Sequence, residues 1–63
     1  MYRLLVYYPE QTGIHATIHV DRSADVLTRI PQLLAEHDGC ERVVVMFNDT
    51  RLFAVDCEGN RLP

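Results

Sequence analysis

The sequence predicts an α+β domain of ββαββ order, a four-stranded, mainly antiparallel sheet with one proline-kinked helix on one face. Three patterns carry that prediction. Residues Ile14 to Val20 alternate apolar and polar at a period of two, and Val26 to Leu34 place apolar residues at three- and four-residue spacing. Two further branched and aromatic runs flank Asn48-Asp49. With 63 residues there is room for one core, so residues 1–63 are read as a single domain.

The first strand is expected from Tyr2 to Tyr8, closed by the turn-forming stretch Pro9-Glu10-Gln11-Thr12-Gly13. The second runs from Ile14 to Val20, with Ile14, Ala16, Ile18 and Val20 on one side and His15, Thr17 and His19 on the other. Asp21-Arg22-Ser23 supplies helix-start chemistry, with Ser23 as the expected cap. Val26, Leu27, Ile30, Leu33 and Leu34 then line one helix face, and Gly39 marks the stop. Pro31 lacks the amide that would bond back to Leu27, so a kink or a division of the helix is expected there. Arg42 to Phe47 is apolar on both alternations, Asn48-Asp49 reads as a two-residue hairpin turn, and Thr50 to Cys57 forms the next strand. Glu58-Gly59-Asn60 is a further turn, followed by Arg61-Leu62-Pro63 as a short tail or stub strand.

A two-residue turn sets Phe47 opposite Thr50, and an unbroken ladder then pairs Val45 with Leu52, Val44 with Phe53 and Val43 with Ala54. One side would carry Val43, Val45, Phe47, Leu52 and Ala54 with Leu4, Val6, Ile14, Ala16, Ile18 and Val20, as the floor for the helix. The other would carry Leu5, Tyr7, Val44, Met46, Phe53 and Val55 beside Arg3, Arg51, His15, Thr17 and His19. One helix covers one side only. The uncovered side would expose an apolar patch of several hundred Å², the size that marks an interaction surface. Leu5, Tyr7, Val44, Met46, Arg51, Phe53 and Val55 are therefore the candidate interface, and a second copy related by a twofold axis is the simplest partner. The strand order 2-1-3-4 is expected, an arrangement with the second and third strands adjacent and parallel being the alternative. Edge pairing between two copies is another route to a dimer.

Chemistry-bearing residues are few. His15 and His19 on one strand would stand ~13 Å apart at ~3.3 Å per residue, too far to grip one ion. His37 reads as a cation near the helix C-terminus. The same ladder brings Cys40 opposite Cys57, and with His37 a thiolate-imidazole cluster can be drawn, without the spacing of a zinc site. Two reduced thiols that pack together is the plainer reading, with a disulfide or a metal as alternatives. A Cys-His pair beside Asp56 or Glu58 has the parts of a nucleophilic relay, but the chain is too short to enclose a pocket beside it. No catalytic, cofactor-binding or metal-ligating residue is assigned, and the chain is read as non-enzymatic.

Nine carboxylates against six basic residues, all arginine, give a net charge of -3, which disfavours nucleic acid as a partner. Single-stranded nucleic acid on the sheet, with Tyr7 and Phe53 stacking bases and Arg3 and Arg51 meeting phosphates, is the residual version of that idea. The N-terminal residues lack secretory-signal character and no apolar run matches a bilayer, so a cytoplasmic protein with reduced cysteines is expected. Two hairpins around one helix, closing with Val43-Val44-Val45-Met46-Phe47 and Leu52-Phe53-Ala54-Val55-Asp56, resemble some small phage-encoded anti-CRISPR proteins in architecture. The resemblance implies an inhibitor docking on a nuclease or surveillance complex, with Asp38, Glu41, Asp56 and Glu58 as contacts.

Overall fold

In the computed structural model, which describes residues 1–63, the chain runs β1 (Tyr2–Tyr7), β2 (Ala16–Val20), α1 (Ser23–Glu36), β3 (Arg42–Phe47), β4 (Thr50–Asp56) and β5 (Arg61–Leu62). The five strands form one sheet in the order β2-β1-β3-β4-β5, every neighbouring pair antiparallel. The fold is α+β as expected, but the tail adds a fifth strand, so the order of elements is ββαβββ. Asp56 makes that addition: its main-chain N–H donates to the Asn60 carbonyl at 2.8 Å, and its carboxylate accepts the Glu58 and Asn60 amides. This turn returns the chain so that Leu62 pairs with Ala54 and Arg61 with Val55.

The helix is a single 14-residue segment that passes through Pro31 without dividing. Its N-cap is Arg22, which makes no side-chain capping bond, so Ser23 lies inside the first turn and is not the cap expected of it. Asp25 in that turn places a carboxylate near the positive end of the helix dipole. At the other end His37 closes the helix, its main-chain N–H donating to the Leu33 carbonyl, and Gly39 at φ +80° turns the chain away. Val26, Ile30 and Leu33 are buried, whereas Leu27, which shares their spacing in sequence, is 69% exposed.

Helix and sheet meet over Leu4, Val6, Val20, Val43, Val45 and Val55, with Cys40 in the same cluster. A smaller cluster of Leu5, Val44 and Ala54 lies on the other side of the sheet and contains no helix residue. The membership of these clusters corrects the expected faces, because the β3–β4 ladder is not continuous. Phe47 pairs with Thr50 and Met46 with Arg51, but a bulge then shifts the register so that Val45 faces Phe53, Val44 faces Ala54 and Val43 faces Val55. One extra residue reverses the side taken by everything beyond it. Phe53 and Val55 therefore stand on the helix side and Ala54 on the open side, the reverse of the expectation. At β2 the ladder begins at Ala16, leaving Ile14 half exposed in the preceding loop and not on the floor.

Leu33, 1% exposed, should be the helix residue whose truncation costs most. Leu33→Ala is expected to destabilise by about 2–5 kcal/mol, and Leu27→Ala by no more than about 0.5 kcal/mol. Urea unfolding of the two variants checks this; equal losses would mean that the helix does not dock through its Val26-Ile30-Leu33 stripe.

Candidate functional site

Two surfaces and one cluster collect the side chains able to make contacts or do chemistry. The first surface is the open side of the sheet. The registers put Arg3, Met46 and His19 in one row, and Leu5, Val44, Thr17 and Ala54 in the next. Tyr7 and Arg42 form a third row, and Leu62 closes the edge beside Ala54. Of the expected interface residues, Leu5, Tyr7, Val44, Met46 and Arg51 share this face, while Phe53 and Val55 do not. The centre is less exposed than expected: Leu5 and Val44 are 6% and 7% exposed, and Ala54 not at all. Long neighbours shield them, with Tyr7, Met46 and Leu62 packed against the trio. Arg42 lies with its guanidinium carbon 4.2 Å from the centre of the Tyr7 ring and is ion-paired with Glu41. Arg3 donates to the Asn48 carbonyl at 2.6 Å and approaches Asp49 at 3.9 Å, so two of the three arginines on this face are neutralised locally.

The second surface is a groove on the helix side. Because α1 docks over the β1 and β2 half of the sheet, the strip between the helix and β4 stays open. Tyr2, Val26, Leu27, Val45, Leu52 and Phe53 line one part of it, and Ile30, Pro31, Leu34, Val55, Gly59 and Arg61 continue it. Leu27 and Leu52 on its margins are the large helix- and sheet-borne apolar residues most open to solvent, with Phe47 alongside, its ring 4.8 Å from that of Tyr2. Arg61 covers part of Phe53, 4.4 Å from the ring centre. Sequence alone misses this groove. Its signal is Leu27 next to Val26, one residue off the buried stripe, together with the unpatterned run Leu52-Phe53-Ala54-Val55.

The cluster lies where the helix ends against β1 and β4. Tyr8 stacks obliquely on His15 at 4.4 Å between centres, and His37 meets both rings edge-on at 6.4 and 5.9 Å. His15 is also held by Gln11 at 2.9 Å, so it leaves the sheet face expected of it; His19 remains there. Below these rings the Sγ atoms of Cys40 and Cys57 are 2.6 Å apart, both as free thiols. Burial, reinforced by the Cys57 sulfur, pushes the Cys40 thiol up to about 12, so its nucleophilic thiolate is scarce at neutral pH. The Tyr8 phenol is likewise raised, by desolvation first and then by the two cysteines and Asp38.

A thiol-imidazole-carboxylate relay is not what these groups form. The His37 Nδ1 is 3.0 Å from the Leu33 carbonyl, which only accepts, so that nitrogen carries the proton. Cys57 contacts the main-chain carbonyl of His37 and not its ring. The Asp56 carboxylate is committed to the β4–β5 turn, and no group of three or more His, Cys, Asp or Glu is placed to hold a metal ion. The two proposed base-stacking residues are also separated, Tyr7 on the open side and Phe53 on the helix side. No helix is long and apolar enough to cross a membrane.

No family model, curated protein or solved structure matches this chain. The functional reading therefore rests on the surfaces themselves.

The Asp56 carboxyl is held below its ordinary value, chiefly by the Asn60 amide, with the amides of Glu58 and Gly59 adding to the effect against desolvation. A group depressed in the folded state stabilises above its unfolded pKa of about 3.9, and that contribution is lost as pH falls through the lower folded value. Urea unfolding from neutral to acid pH should show a difference between the native chain and Asp56→Asn that narrows below about pH 4. A pH-independent difference would show that the charge of Asp56 does not hold the turn.

Proposed function

We propose that the chain is a small non-enzymatic protein-binding module that works as a homodimer, two copies meeting through their open sheet faces. What supports this is the composition of that face: an apolar centre of Leu5, Val44 and Ala54 inside a ring of Tyr7, Met46, Arg42 and Arg51. Tyr, Met and Arg are the residues enriched at protein interfaces, and a small domain gains stability by association. Ala54 and Leu62 take the places first given to Phe53 and Val55. Local pairing of Arg3 and Arg42 removes most of the like-charge repulsion that face-to-face docking would otherwise meet.

Strands of 6, 5, 6, 7 and 2 residues, at ~4.8 Å by ~3.3 Å per residue, give a projected footprint of roughly 410 Å² per copy. The face is small beside a standard interface and its central trio is already shielded, so the dimer is expected to be a weak one.

The exposure of Leu27 (69%) and Leu52 (47%) beside the groove favours a second contact, with a different protein. In this reading the groove takes apolar side chains of a larger target.

Sedimentation equilibrium across the micromolar range tests the dimer. The native chain and Leu27→Glu should approach twice the chain mass, while Met46→Glu should weaken association about tenfold or more and stay monomeric. A native chain that remains monomeric throughout defeats the proposal. If Leu27→Glu dissociates and Met46→Glu does not, self-association runs through the groove and the sheet-face reading is wrong.

A further inference from the structure

Cys40 and Cys57 take no part in either contact surface, yet they are the closest pair of reactive side chains in the molecule. Their sulfurs are 2.6 Å apart, about half an ångström beyond the ~2.05 Å of a formed disulfide. The pair is fixed by main chain on both sides. Cys40 N–H donates to the His37 carbonyl at 3.2 Å, the N–H of the next residue, Glu41, donates to the Tyr7 carbonyl at 2.8 Å, and Cys57 lies inside the Asp56–Asn60 turn. Cys57 also reaches the His37 carbonyl at 3.6 Å. Closing the bond therefore asks for little movement of chain. A shared metal is the rival occupant, and it would lack ligands, since no third His, Cys, Asp or Glu joins the two sulfurs in a metal-holding group.

We infer that Cys40 and Cys57 form a thiol-oxidation site that closes to an intramolecular disulfide by exchange with a small disulfide of the oxidised-glutathione class. Cys40 is 6% exposed and Cys57 more open, so Cys57 meets the reagent. The Cys57 thiolate attacks one sulfur of the glutathione disulfide, forming a mixed disulfide and expelling one glutathione thiolate. The Cys40 thiolate then attacks the Cys57 sulfur and expels the second. Two electrons pass from the cysteine pair to the glutathione disulfide, and the two cysteine protons end on two glutathione thiols. The scarcity of Cys40 thiolate slows the second step without altering its direction. The bond ties the exit of α1 to the end of β4 across 17 sequence positions. Closing a loop of that size raises the melting temperature, by roughly 20 °C on loop-entropy grounds.

The test is to incubate the fully reduced chain with excess oxidised glutathione, then measure intact mass under denaturing conditions, with and without alkylation. The expected product is the monomer lighter by two hydrogens, with no alkylatable thiol, and it should melt well above the reduced form. Cys40→Ser should stop at one glutathione adduct on Cys57, and Cys57→Ser should react far more slowly. Two alkylatable thiols persisting in the native chain, stable adducts on both cysteines, or disulfides only between chains would each overturn the inference. That readout uses the unmodified chain, so it stands even if a serine variant fails to fold.

Discussion

One 14-residue helix has to serve a five-stranded sheet, and it covers about half of one side. At ~10 Å across, an α-helix spans two strands spaced ~4.8 Å apart, not five. Val26, Ile30 and Leu33 meet Leu4, Val6, Val43 and Val45, and that contact organises the rest. What the helix does not reach must be shielded by long side chains or by another molecule. The chain uses the first solution on the open side, where Tyr7, Arg42, Met46 and Leu62 lie over or beside Leu5, Val44 and Ala54. Along the groove beside β4 only Arg61 does so, over Phe53, and Leu27 and Leu52 remain in solvent. The second contact proposed, with a different protein along the groove, follows from that geometry.

The strands β1, β2 and β3, the helix and the turn at Asn48-Asp49 were legible because each carries a local signal: alternation, three-and-four spacing, or an asparagine able to take a positive φ, here 54°. The side on which Phe53 and Val55 stand was not. Leu52-Phe53-Ala54-Val55 is apolar throughout, so no polar residue marks which side meets water, and a one-residue bulge leaves the pattern unchanged while reversing the faces. The fifth strand was left open, as a tail or a stub strand, for a different reason. Two residues carry too little pattern to announce a strand, and Arg61-Leu62 is one only because Asp56 folds the turn before it.

The cysteine pair shows how a correct proximity can follow from an incomplete register. An unbroken ladder would set Cys40 opposite Cys57, and the bulge displaces that pairing by one. The ladder ends at Arg42 and Asp56, however, and the loop after Gly39 carries Cys40 back to Cys57. His15 departs from expectation because β2 starts at Ala16. Its main-chain N–H still donates to the Val6 carbonyl at 2.8 Å, but its ring turns to Tyr8, across the loop, and to His37 at the distant helix end, a grouping that no local pattern announces.

The account stands or falls on where two copies touch. An isotope-filtered nuclear Overhauser experiment on a mixed labelled and unlabelled sample, at a concentration that populates the dimer, locates that contact directly. Intermolecular signals are expected to the methyl groups of Leu5, Val44 and Met46, and none to Leu27. Signals confined to Leu27 and Leu52, or an absence of intermolecular signals in a confirmed millimolar sample, would contradict it.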